Sequence, residues 1–263
     1  MSELEITKAE ASTAVESARI RTSEIGNPYL KAQGSWIIEE MRRELQPPYN
    51  LITYERMLQD STVAAALGTA SAFLTKALAK AKFVTNSKNP QAKDFCDYLN
   101  WNLKNLNGTT WYESCTNILG YLSAGFSWTE KIYEPNYSTK YTKYPWKLKK
   151  LAPRSQHSIS KWYYDNNNRE VIGIDQYPAP SLNGTWQQIP STTSFKDTPD
   201  IKRNKFMLFS WDSKNSNPVG TSPLNGCYKA WKEKVLIESI ECTGISKGLN
   251  GIVVARVPSE IIN

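Results

Sequence analysis

The stretch Asn217-Pro218-Val219-Gly220-Thr221-Ser222-Pro223-Leu224 constrains this chain more than any other. Ser222 suits a helix N-cap and Pro223 the first helical position, where a missing N–H removes a donor that had no partner anyway. The turn therefore predicts a helix running from it to about Gly244, which has the residue type to close it. Leu224, Tyr228, Trp231 and Val235 recur at spacings of four, three and four and place one apolar stripe along that helix. Lys229, Lys232, Glu233 and Glu238 fall largely elsewhere, and Lys234 with Glu238 forms an i,i+4 pair of opposite charge. Periodicity alone makes this an amphipathic core helix; its setting in the chain gives it more meaning.

Upstream, three helices are expected before any firm strand. Asp60 or Ser61 caps the first, whose apolar face runs from Val63 through Leu67 to Leu78 and which ends near Lys82; Phe83-Val84 then reads as a strand. The second starts near Pro90 and stops at Asn107-Gly108. The third starts at Thr110 and turns Trp111, Cys115, Ile118, Leu119 and Leu122 inward. Period-two alternation from Phe126 to Tyr133 marks a strand, and shorter strands follow at 147–151, 158–164, 171–177 and 205–211, with turns at Asn166-Asn167-Asn168 and Asn183-Gly184. Residues 178–200, rich in Pro, Ser and Thr, read as a loop. Residues 1–50 read as an arm with short helices at 10–21 and 35–45, broken by Gly26-Asn27-Pro28 and Gln46-Pro47-Pro48.

The formal net charge of +7 is not spread evenly: residues 131–170 hold nine Lys or Arg against three Asp or Glu. Lys143, Lys147, Lys149, Lys150 and Arg154 form this basic patch, interleaved with Tyr133, Tyr137, Tyr141, Tyr144, Trp146, Trp162, Tyr163 and Tyr164. Such a stretch can stack on bases and hold phosphates, or it can be a solvated hairpin face whose rings cover a core. Cys96, Cys115, Cys227 and Cys242 have no metal-ligand or C-x-x-C spacing and read as reduced thiols, which suits a cytoplasmic setting. The N-terminus has no basic-then-apolar leader, and the run 63–74, interrupted by Gly68, Thr69 and Ser71, is too short for a bilayer span.

Enzyme chemistry finds no foothold. His157 is the only histidine and sits in a polar Ser-Gln-His-Ser setting; there is no phosphate-binding glycine loop, no dinucleotide fingerprint and no H-E-x-x-H. The carboxylate pairs Glu39-Glu40 and Glu238 with Glu241 read as helix surface. No cofactor, metal or catalytic residue is expected.

The order of elements carries a resemblance. Tyr54-x-x-Met57-x-x-Asp60-x-x-Val63 and two further helices lead to a strand ending in Trp128-Thr129-Glu130. Trp146-Lys147-Leu148-Lys149-Lys150-Leu151-Ala152-Pro153-Arg154, Ile189-Pro190, Lys205-Phe206, the 217–224 turn, 231–234 and 241–244 then follow. Over residues 50–258 this series resembles the portal proteins of tailed bacteriophages, closest to the Mu-type branch. The resemblance implies an α+β fold: an N-terminal arm over 1–50, a wing domain over 51–220 of helices with a small mixed or antiparallel sheet, a stem-directed helix over 221–248, and the start of a clip over 249–263. Gly220, Ser222 and Pro223 would form the structural turn between wing and stem. Relatives continue beyond the position matching Val257-Pro258, and their Glu-x-[Phe or Tyr]-Gly-x-Pro segment is here Glu241-Cys242-Thr243-Gly244-Ile245-Ser246, without the aromatic and the Pro.

The function the resemblance implies is a ring, usually of twelve subunits, at one capsid vertex of the virion, assembled in the host cytoplasm. Double-stranded DNA passes through its channel during packaging and ejection; a terminase motor docks first and a head-tail adaptor later, with the major capsid protein around it. No membrane is involved. Lys229, Lys232, Lys234 and Lys247 become candidates for the channel or its rim, touching phosphate and not bases, or else for ion pairs between subunits. Two other classes fit the residues: an aromatic-rich carbohydrate- or surface-binding module of a phage tail, and a single-strand nucleic-acid-binding accessory protein.

Overall fold

In the computed structural model, residues 28–33, 36–165, 170–177 and 198–249 are described. Expectations for the helix at 10–21, the turns at 166–168 and 183–184, nearly all of the 178–200 loop and the clip beyond Leu249 lie outside them. Two residues each of β1 (Ala32–Gln33) and β2 (Trp36–Ile37) pair antiparallel, and a 3-10 turn follows at Arg43–Leu45. The helix expected over 35–45 is not there. Glu40 accepts from the N–H groups of Met41 and Arg42 at 3.0 and 3.1 Å, and the Gln46 amide donates to its carbonyl at 2.8 Å, so side chains satisfy the backbone in place of a helical ladder.

The helices begin with α1 (Tyr49–Met57), directly after Pro48. Asp60 then starts α2 (Ser61–Ala79), accepting from Thr62 N at 2.9 Å and Val63 N at 3.4 Å. Asn89 caps α3 (Pro90–Lys104), which has Pro at its first position, and Thr110 with Glu113 forms a reciprocal capping box for α4 (Trp111–Ile118). The short α5 (Tyr121–Ala124) ends on Gly125, whose φ of +89° is left-handed. Phe83-Val84 is not a strand. The Asn100 side chain bonds both the N–H and the carbonyl of Phe83, at 2.8 and 2.9 Å, and so takes the place of a strand neighbour.

At 19 residues, α2 exceeds the 63–74 run and is, by length and composition, apolar enough to cross a bilayer. Its inner side packs on the body: Thr75 is buried, Val63 joins the core under α1, and the helix contacts α4 and α5. The opposite side is left uncovered by the other described residues.

The strands make two antiparallel sheets, ordered β4-β3-β8 and β5-β6-β7. β3 (Phe126–Pro135) pairs with β4 (Trp146–Arg154) and, on its other edge, with β8 (Phe206–Ser210). β5 (Ile159–Tyr164), β6 (Val171–Gln176) and β7 (Ile201–Lys202) form the second sheet. Phe126, Trp128 and Phe206 from one sheet meet Ile159 and Ile174 from the other in a common core, with Trp128 and Phe206 edge to face at 5.9 Å. A second core joins Leu45, Tyr54 and Met57 to Leu224 and Tyr228 of α6 (Leu224–Leu249). Gly244 does not end α6. It keeps helical backbone and the helix runs five residues further. The fold is α+β, with helices first, sheets next and one long helix last.

Candidate functional site

Two places concentrate the residues singled out from the sequence: the turn from which α6 departs, and the basic β3–β4 hairpin. The turn is built by close backbone approach. Gly220 has φ +61°, and a Cβ there would lie 2.4 Å from the Trp211 carbonyl oxygen and 2.7 Å from that of Gly125. Gly125 is its counterpart, where a Cβ would lie 2.9 Å from the Val219 oxygen. Only glycine fits either position. Hydrogen bonds stitch the contact: Trp211 N donates to Gly125 O and Thr221 N to Trp211 O, both at 2.8 Å, and Ser210 Oγ donates to Pro218 O at 2.6 Å.

Ser222 is buried and performs two tasks. Its Oγ donates to Ser123 O at 2.7 Å and accepts from Leu224 N at 3.1 Å, so one hydroxyl fastens the turn to the body and caps the first turn of α6. Pro223 precedes the first helical residue. Beneath the turn lies a cavity of about 70 Å³ walled by Glu40, Asn50, Tyr54, Asn217 and Asn225, well under the few hundred Å³ of a small-molecule site. Burial, with Glu40 nearby, pushes the Tyr54 phenol up to about 12. Burial would raise the Glu40 carboxyl too, but hydrogen bonds from Asn225 and from the backbone of Arg42 and Met41 leave it lowered overall.

The base of α6 is held by charge. Lys232 Nζ lies 2.7 Å from Glu44, and Lys234 pairs with the Asp60 carboxylate that also caps α2. Arg42 and Lys232 both stand over the Tyr228 ring, at 5.9 and 5.5 Å, and Arg42 also donates to Asn225 O at 3.2 Å. The lysine bond holds the Glu44 carboxyl below its ordinary value, and the Lys234 bond does the same for Asp60; Lys232 and Lys234 are raised in return. Lys229 lies 3.8 Å from Glu233, one turn along. Beyond Trp231 every residue from 232 to 248 is exposed, a length of about 25 Å at 1.5 Å per residue, and Lys247 lies near its far end.

On the hairpin the basic patch is partly neutralised. Lys147 lies 3.0 Å from Glu134 and Arg154 2.5 Å from Glu130, each pair bridging β4 to β3. Lys149 is exposed, Lys150 half-buried, and Lys143 lies 5.8 Å from the Tyr144 ring centre. Tyr141 and Tyr144 face inward onto α3: Tyr98 stacks on Tyr144 at 4.3 Å, and Trp101 lies 5.2 Å from Tyr141. Trp162 packs edge to face on Phe126, and Tyr163 bonds Asp175 at 2.6 Å. Tyr133, Tyr137 and Trp146 are the rings left outward here. His157 lies 2.8 Å from Glu55 of α1, and among the described residues no cluster of His, Cys, Asp or Glu could hold a metal ion.

Glu44, Asp60, Glu40 and Arg42, which hold the base of α6, were invisible as a group because their partners lie more than 170 residues away in the chain. No curated protein matches the chain. The family model for the portal protein of Mu bacteriophage matches residues 51–237, from α1 through both sheets and the turn into α6. An α+β body that ends in a glycine-locked turn and an outgoing helix, matched to that family over most of its length, belongs to the Mu bacteriophage portal protein family.

Proposed function

We propose that this portal protein forms a ring at one capsid vertex, of about twelve subunits if it follows the family habit, and that double-stranded DNA is packaged and ejected through its central channel. In this reading residues 51–220 are the wing and 221–248 the stem-directed helix. A terminase motor, then a head-tail adaptor, docks on the ring, which sits among major capsid proteins and performs no chemistry of its own. The observation that carries the reading is the departure of α6: the turn is locked to the body by Gly220 and Gly125, yet residues 232–248 are all exposed, and beyond the Lys232 and Lys234 ion pairs the described residues leave this half uncovered. Leu236, Ile237, Ile240 and Ile245 are exposed along this half, an apolar surface of the kind that marks an interaction site.

Lys232 and Lys234 serve the base of α6, which leaves Lys247, toward the far end, as the lysine best placed to meet passing phosphate. Contacts of that kind are independent of base sequence and weaken with salt, as a conduit requires. Electron microscopy of the purified chain tests the proposal: rings with a central channel are the expected image, and particles without one overturn it.

A further inference from the structure

Two apolar helix surfaces are left uncovered by the other described residues, and they differ in shape. The bare side of α2 carries Ala66, Ala70, Phe73 and Ala77 at spacings of four, three and four, with Phe73 73% exposed. Apart from that ring this stripe is small and flat, with the less exposed Leu74 and Leu78 at its flank. The projecting half of α6 carries Leu236, Ile237 and Ile240, at 60, 55 and 63% exposure, with Gly244 one turn on. Its surface is bulky and then hollow. A helix-interior glycine costs about 1 kcal/mol relative to alanine. Nothing lies within 4 Å of a Cβ built at Gly244, so no neighbour among the described residues uses the room it leaves.

We infer that the outer side of α2 in one subunit packs antiparallel on the Leu236–Gly244 side of α6 in the next, with the Phe73 ring seated over Gly244. This contact rests on the ring reading and names its interface. Three features select a second copy as the occupant. The two surfaces are unlike, so the contact joins head to tail and leaves a fresh α2 and a fresh α6 at either end, the arrangement that closes into a ring. Bulk meets hollow, with Phe73 over Gly244 and Ile240 over Ala77, as interdigitating helix ridges require. Charge agrees with the antiparallel direction: Lys76, the one charged residue of α2, comes level with Glu241.

The test uses the full chain with the exposed Cys227 and Cys242 changed to Ser, carrying Phe73→Cys together with Gly244→Cys. Mild oxidation is expected to give a ladder of covalent multimers on a non-reducing gel, with neither cysteine sufficient alone. A second arm reads charge: Lys76→Glu should lower ring yield at least tenfold, and adding Glu241→Lys should restore it. Rings by electron microscopy with no ladder, or covalent dimers from Phe73→Cys alone, overturn the contact while the ring reading stands. The absence of rings in the parent chain overturns both. Flotation of the chain with phosphatidylcholine vesicles, abolished by Phe73→Asp, overturns it in favour of a bilayer as the partner of α2.

Discussion

Glycine does opposite work at the two ends of the same outgoing segment. At the turn, Gly220 has left-handed backbone and meets the Trp211 and Gly125 carbonyls so closely that its own chain accounts for it fully. Along the projecting half of α6, Gly244 and Gly248 are helical with open space where a Cβ would be. The first kind of glycine is a folding requirement; the second weakens a helix and acquires a reason only from a neighbour. Gly226, in the anchored base of α6, is also helical with open space at its Cβ, so the division lies between turn and helix.

The sharpest way to break this contrast is Gly220→Val. The left-handed φ and the 2.4 Å approach to backbone oxygen should together cost about 3–5 kcal/mol, read as a large fall in the denaturation midpoint or loss of soluble protein. A variant folding with parental stability would remove the turn from the account. Ser222→Ala comes next, with an expected loss of about 1–3 kcal/mol, because it strips the cap from α6 and leaves the Ser123 carbonyl without its donor.

Gly244→Ala should carry the opposite sign. Helix content and thermal midpoint of the unassembled chain should rise, by up to about 1 kcal/mol, while ring yield falls. A ring yield that rises together with the thermal midpoint would count against close packing at that residue.

The smallest effect concerns the ion pairs at the base of α6. Glu44 and Asp60 have folded-state values lowered by Lys232 and Lys234, so their contribution is complete above the unfolded carboxylate range near pH 4 and fades as acid titrates the folded groups. Lys232 and Lys234 are raised, so the same contacts persist until pH climbs past the ordinary lysine range. Hydrogen exchange should therefore quicken at the base of α6 below about pH 4 and in high salt, with no matching change at the 217–222 turn, which carries no ionisable side chain. Equal quickening at both places would show that the two regions are not separately held.

What could be read from residue order, and what could not, follows the range of the forces involved. Period-two alternation from Phe126 to Tyr133 located β3, short apolar runs located β4 to β6 and β8, and Asp60, Pro90 and Thr110 marked helix starts because caps and first-turn residues act within a few positions. Helix α1 was hidden behind Pro47-Pro48, which reads as a breaker but here simply precedes the first turn. Gly244 read as a stop because glycine usually is one; only the left-handed backbone at Gly125 and Gly220, and its absence at Gly244, separates the cases. The aromatic hairpin left two readings open, and tertiary packing divided it, with Tyr141 and Tyr144 inward on α3 and Tyr133, Tyr137 and Trp146 outward. The local i,i+4 pair of Lys234 with Glu238 was legible and is present at 3.6 Å, whereas the second partner of Lys234, Asp60, lies 174 residues away and left no local signal.

Among the described residues α6 is anchored at its base alone, which makes it a lever. Its fulcrum is the cluster of Tyr228, Lys232 and Lys234 against Arg42, Glu44 and Asp60, and the arm beyond Lys234 measures about 21 Å. A tilt of about 5° at that fulcrum sweeps the tip through about 2 Å, close to half the pitch of a helical turn. Copies arranged around a bore would convert the same few degrees, taken in unison, into a change of aperture on the scale of a side chain.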